Sequence, residues 1–132
     1  MIAPPLEGKV LGTIRDSFAV AEWRDNGGPS GPPRLIAPLH LHNHDDEAWY
    51  VLEGRLCVQV GEEQIEVPAG SGVLVPRGVA HTYWNPGPDA VRYMLFMTPA
   101  ILGLVEDIHL LGDRNPESLR AVFEQHDSML LG

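Results

Sequence analysis

For its first hundred positions this chain alternates apolar and polar residues in short runs; after Thr98 the apolar positions recur every three or four. Residues 10–24, VLGTIRDSFAVAEWR, read as one or two short strands. NGGPSGPP at 26–33 has no period and reads as a loop. A strand is predicted from about Arg34 to His42. A hairpin is predicted from Ala48 to Val67, with AWYVLEGRLCVQV as one arm, a turn at Gly61-Glu62-Glu63, and QIEV as the return. Pro68-Ala69-Gly70 turns the chain, SGVLVP forms a strand, and Arg77-Gly78 turns it again. AHTYWN follows, closed by Pro86-Gly87-Pro88, and VRYMLFM at 91–97 is the last strand.

Beyond it, Ile101, Leu104, Val105, Ile108 and Leu111 mark one face of a helix opened by Thr98-Pro99. A second helix is predicted from Glu117 to Leu130, with Asn115 as N-cap, Pro116 at its first position, and Leu119, Val122, Phe123 and His126 on one face. Eight to ten short strands followed by one or two helices predict an all-β barrel or sandwich with a C-terminal helical tail. At 132 residues the chain is expected to be one domain, 1–132, with the barrel at about 10–99 and the tail at about 100–131.

In AWYVLEG both alternating sets, Ala48/Tyr50/Leu52 and Trp49/Val51, are apolar, so this strand is expected to be covered on both faces. One face can look into the barrel. The other calls for the tail helices or a second copy of the chain, and a homodimer is the expectation.

Composition narrows the choice of partners. The net charge of -9 disfavours nucleic acid and anionic membrane surfaces, which are bound through lysine and arginine. No apolar run approaches the ~20 residues of a membrane span. The N-terminus lacks the basic and apolar regions of a secretory leader, and the single cysteine, Cys57, fits a reducing compartment, so a cytoplasmic location is expected. A small solute or another protein remains as partner. Cys57 itself reads as a small buried hydrophobe rather than a reactive thiol.

The chemistry is concentrated in PLHLHNHDDEAWYVLEG at 38–54, which holds three of the six histidines. In a strand, residues two apart point the same way, so His40 and His42 share a side. The chain then turns through Asn43–Asp46 and returns at Glu47, bringing a carboxylate to the imidazoles. That ligand set suits iron, manganese, nickel, cobalt or zinc. His81, in PRGVAHTYWN, is a fourth candidate. His44 shares the same parity, and His42/His44/Glu47 is an alternative triad that turns on where the strand ends. Asp45 and Asp46 read as a solvated turn. Asn85 is expected to stitch a turn rather than bind metal, and His109 and His126 are given no chemistry. Arg55, Arg77 and Arg92 are the visible anion-binding candidates.

The order of these residues resembles the two motifs of the cupin superfamily, His40-x-His42-x4-Glu47-x6-Gly54 and Gly70-x5-Pro76-x-Gly78-x2-His81-x3-Asn85. The resemblance covers 40–85 directly and, through the flanking strands, about 10–99. It implies a double-stranded β-helix, or jelly-roll cupin barrel. Inside it, one divalent transition metal (Fe, Mn, Ni, Co or Zn) would be held by His40, His42, Glu47 and His81. The general run of the chain looks most like small bacterial cupins described as quercetin-dioxygenase-like. That likeness implies a metal-dependent dioxygenase acting on a small organic substrate, with Glu47 as the base if one is needed. Trp49, Tyr83, Met94 and Phe96 are candidates for the wall of an apolar substrate pocket, although core is the simpler reading for any one of them. The rival expectations are a redox-inert metal isomerase or lyase acting on a sugar or keto acid, and a cupin that binds a small ligand without turnover.

Overall fold

A computed structural model describes residues 4–29 and 31–132; residues 1–3, the start of the N-terminal stretch expected to lack a leader, and residue 30 of the glycine/proline loop lie outside it. The strands are β1 (Val10–Leu11), β2 (Ala19–Asp25), β3 (Leu35–His42), β4 (Glu47–Glu53), β5 (Arg55–Val60), β6 (Glu63–Pro68), β7 (Gly72–Val75), β8 (His81–Trp84) and β9 (Val91–Met97). Helices α1 (Pro99–Leu110) and α2 (Pro116–Gln125) follow, and a last strand, β10 (Ser128–Leu130), ends the series. They form two antiparallel five-stranded sheets, ordered β1-β2-β9-β4-β7 and β10-β3-β8-β5-β6. The fold is the expected double-stranded β-helix with two helices after it.

Two sequence expectations change. AWYVLEGRLCVQV is not one arm of a hairpin: β4 lies in the first sheet and β5 in the second, and the hairpin is β5–β6 alone. The switch is at Gly54, whose φ of +76° suits glycine and where a Cβ would stand 2.3 Å from the Ala90 carbonyl oxygen. The second correction concerns the tail. The last helix stops at Gln125 rather than Leu130; Asp127 takes φ +55°, and Ser128–Leu130 reverses into a strand paired with β3, Ser128 opposite His42. Backbone pairing with an open sheet edge outweighs continuation of a short helix. Both predicted helix starts hold, with Thr98 Oγ1 accepting from the Ile101 N–H and Asn115 Oδ1 from the Ser118 N–H.

The core lies between the sheets, with Trp49, Val51, Leu56, Val58, Val75 and Val91 almost fully buried. A second cluster, Leu104, Val122, Phe123 and Leu130, is built by the tail. Ile101 and Leu102 of α1 join the barrel core, so the tail packs onto the barrel.

Candidate metal centre

The local backbone that presents the ligands is irregular where it needs to be. Pro38 has no N–H to give the β3–β8 ladder, and a register shift falls between Ala37 and His40. His40 and His42 resume the alternation and are both buried, as are Glu47 at the start of β4 and His81 at the start of β8. The loop between His42 and Glu47 is pinned to the next turn. The Gly78 N–H, at φ +78°, donates to the His42 carbonyl at 2.7 Å, and Asp46 accepts from both the backbone and the guanidinium of Arg77. Asp46 is therefore a clamp between the ligand-bearing turns rather than a free solvated residue.

These constraints bring ligand atoms of His40, His42, Glu47 and His81 within 4.8 Å of one another, with all four side chains buried. His44 is exposed in the bend and stands outside the group. His81 Nε2 is 3.0 Å and His42 Nε2 3.4 Å from Glu47 Oε1. The other nitrogen of each ring has a partner: His40 Nδ1–H donates to the Pro38 carbonyl at 2.6 Å and His81 Nδ1–H to the Val79 carbonyl at 2.9 Å. His42 Nδ1 lies 2.6 Å from Ser128 Oγ, whose own proton goes to the His126 carbonyl. With Nδ1 of each ring engaged outward, each Nε2 faces the centre and the Glu47 carboxylate; a proton on the His42 and His81 Nε2 bonds them to Glu47 Oε1, and a cation can take its place. Lone pairs converging in a buried space repel unless a proton or cation lies between them, so the donor set fits a divalent ion. The four residues could thus form a metal site.

The electrostatics agree. Burial alone would raise the Glu47 pKa, but hydrogen bonds from His42 and His81 outweigh it and hold the carboxyl down at about 2. Burial and the neighbouring His81 lower His40 to about 4, so this imidazole is neutral and available as a ligand at neutral pH. The linkage sign follows. Between pH 6.5 and about 4 the unfolded chain binds a proton at His40 that the folded chain refuses, so this contribution to stability is complete above 6.5 and lost as pH falls through that window. Glu47 adds a loss between 4.5 and about 2. In urea titrations of metal-free protein, the stability difference between the wild type and His40→Gln should therefore move against the wild type from pH 6.5 to 4. A difference independent of pH would refute the assignment.

Ser128 escaped the sequence reading because it lies 86 residues from His42 and was placed in a helix. It orients the His42 ring, and loss of such a partner lowers metal affinity about 10–100-fold. Ser128→Ala should do so with the ligands unchanged, as competition with a chelator will show; unaltered affinity would mean that the hydroxyl merely fills space.

A cavity of about 490 Å³ opens above the quartet, with His40, His42 and Glu47 on its floor. Tyr83, Tyr93, Leu95 and Ile36 form barrel walls, and Ile101, Leu104, Ile108, Leu119 and Phe123 cover it from the tail. The Phe123 ring is 5.2 Å from that of His40. Of the four predicted wall residues, Tyr83 lines the cavity. Trp49 is buried behind it, its ring 5.2 Å from Tyr83 and 5.7 Å from His81. Met94 and Phe96 are a correction: they lie on the opposite face of β9, Phe96 being 37% exposed, while Tyr93 and Leu95 point inward. His109, given no chemistry from sequence, lines the cavity, as do Trp23, Arg24 and Arg114. His126 pairs instead with Asp107, 2.6 Å away. Asn85 behaves as expected, its amide holding the Asp89 carbonyl and the Gly87 N–H. The three arginines proposed for anions are each paired outside the cavity, Arg55 with Glu66, Arg77 with Asp46, and Arg92 with Glu22 and Glu53. Cys57 is half-buried.

Residues 31–97 match the cupin domain family. Among curated proteins the chain is 32% identical over 60 residues to the polyketide synthase CurC of Streptomyces cyaneus, covering 46% of this chain and 39% of that protein. The chain spans about half or less of the length of the first curated relatives it matches. Among solved structures, an uncharacterized conserved protein with a double-stranded beta-helix domain from Klebsiella pneumoniae superposes with a TM-score of 0.57 at 22% identity, over 75% of this chain and 78% of that one. A putative sugar phosphate isomerase from Acidithiobacillus ferrooxidans gives 0.54 at 21% identity, over 63% and 51%. At such identities these two likenesses concern the fold.

Proposed function

The chain belongs to the cupin domain family, and from that premise we propose that His40, His42, Glu47 and His81 hold one divalent transition-metal ion at the floor of a substrate cavity. The reaction we favour is a dioxygenase-type oxidation of a small organic molecule such as an enol, phenol or diketone, the chemistry implied by the quercetin-dioxygenase-like resemblance. The observation that carries it is the convergence of four buried ligand atoms beneath a largely apolar cavity of about 490 Å³. When bound, the ion would supply Lewis acidity and, if redox-active, electron transfer between substrate and O₂. The chain's own part is definable. The tail helices roof the cavity and exclude water, and Tyr83 and Tyr93 orient the substrate from the wall. Burial pushes the Tyr93 hydroxyl up to about 12 and Tyr83 well above its ordinary range, so both stay protonated as donors. Among the described residues Glu47 is the only carboxylate lining the cavity and hence the side chain positioned to accept a proton there. With its pKa held near 2 it does so only when the hydrogen bonds from His42 and His81 lengthen.

The test is anaerobic reconstitution with Fe(II), Mn(II) or Ni(II), followed by oxygen-uptake assays over flavonols and diketones. Metal-dependent uptake with any of them is expected, and none with all of them would overturn the oxidative reading. Turnover without oxygen, on a sugar or keto acid with zinc bound, would favour the isomerase or lyase alternative.

The partner surface is also a proposal. The tail roofs the cavity and leaves the outer face of β4 uncovered. There Leu74, Ala48, Phe96 and Val20 form one cross-strand row, and Tyr50 and Met94 sit in the next. Leu74 is 59% and Tyr50 38% exposed. We infer that this face meets a second copy in a homodimer. Analytical ultracentrifugation should give a dimer that Leu74→Asp converts to monomer; a monomeric wild type would refute the interface.

A further inference from the structure

The quartet leans on a turn that carries no ligand. After α2 the chain reverses through 126–128, and the reversal touches the ligand-bearing segment at two points. The Asp127 carbonyl accepts from the Asn43 N–H at 2.8 Å, one residue past His42. Ser128 Oγ lies 2.6 Å from His42 Nδ1 and donates to the His126 carbonyl at 3.3 Å. The orientation of the His42 ring therefore depends on where this turn sits.

The turn does not hold itself. Asp127 is at φ +55°, a conformation that L residues adopt at a cost, so the reversal needs an outside anchor. His126 supplies it. Its Nε2–H donates to Asp107 Oδ2 of α1 at 2.6 Å. Its ring lies over the bare backbone of Gly103, where a Cβ would stand 3.0 Å from His126 Cε1. Gly103 and Asp107 are four residues apart and share one face of α1, the first giving the ring room and the second an acceptor. The helix is fixed in turn by Ile101 and Leu102, which belong to the barrel core. Apolar contacts among Leu104, Val122, Phe123 and Leu130 also hold the tail together, but such packing has no direction. A short bond to a carboxylate does, and it sets the rotation of the turn.

We propose that Asp107 and His126 are positioning residues of the metal centre, latching the 126–128 reversal to α1 so that Ser128 is held on His42. This rests on the reading of the quartet as a metal site. Neither residue belongs to the quartet, and the Asp107 side chain is 45% exposed. The pair acts on the ion only through Ser128.

The experiment is competition for zinc between a chromophoric chelator and the protein. It compares the wild type, Asp107→Ala, His126→Ala and Asp107→Ala/His126→Ala, and repeats Asp107→Ala in a Ser128→Ala background. Glu106→Ala, which removes the same charge from the exposed neighbouring position, is the control. Asp107→Ala should lower zinc affinity about threefold to tenfold, less than removal of Ser128 itself. The double variant should lose little more than His126→Ala, because both changes break one bond. With Ser128 already gone, Asp107→Ala should cost less than about twofold, whereas general loosening of the tail would cost the same in both backgrounds. Glu106→Ala should leave affinity unchanged. Unaltered affinity in Asp107→Ala, equal losses with and without Ser128, losses that add in the double variant, or an equal loss in Glu106→Ala would each overturn the latch and leave the metal reading in place. A wild type that takes up no zinc would refute both.

Discussion

Glu47→Gln should yield a folded protein that no longer retains a divalent ion, with affinity lower by at least about 100-fold, since loss of an outer-shell partner alone costs 10–100-fold. The amide is nearly isosteric with the carboxylate, so packing around this buried position changes little. What changes is charge. Three imidazoles that turn Nε2 to one space have only Glu47 to add a negative ligand, as no other acid among the described residues belongs to the cluster. A glutamine offers a weaker neutral oxygen and an N–H that can donate to His81 or His42, closing the centre on itself. Competition with a chelator measures the affinity, and circular dichroism checks the fold. A variant that binds as tightly as the wild type would remove Glu47 from the ligand set.

The second large effect is expected from the tail. Phe123 is 1% exposed and stands edge-on to His40 with ring centroids 5.2 Å apart. Phe123→Ala should destabilise the protein by about 3–5 kcal/mol, the cost of emptying a packed aromatic site. It should also weaken metal binding, because His40 would lose the ring that fixes its orientation and part of the burial that keeps it neutral. Urea denaturation of metal-free protein reports the first effect and chelator competition the second. A loss below about 1 kcal/mol would mean that the tail lies loosely over the barrel and is no part of the site.

These two residues illustrate what a sequence of this kind reveals. Glu47 is legible because its spacing from His42 and the turn between them leave it few places to go. Phe123 could be assigned to a helical face, but nothing in a period of 3.6 residues says which element that face meets. The pairing of β10 with β3 was illegible for a related reason: three residues are too short to show a period, and the segment continued the apolar pattern of α2. Ser128 therefore could not be connected with His42.

The error on β9 has a different origin. In VRYMLFM both alternating sets are mostly apolar, so the two-residue period has no phase, and Met94 and Phe96 were as plausible inside as Tyr93 and Leu95. Arg92 carried the missing phase. A charged residue faces out in the absence of a buried partner, and Met94 and Phe96 share its parity. On β4 the phase is carried by Glu47, whose parity Trp49 and Val51 share, and both are buried.

Anomalous diffraction from crystals of the metal-loaded protein, recorded across the absorption edge of the added ion, tests the central claim most directly. The account predicts one strong peak per chain, about 2.0–2.2 Å from the Nε2 atoms of His40, His42 and His81 and from a Glu47 carboxylate oxygen. No peak among these side chains, or one held by His44 or by surface carboxylates instead, would contradict it.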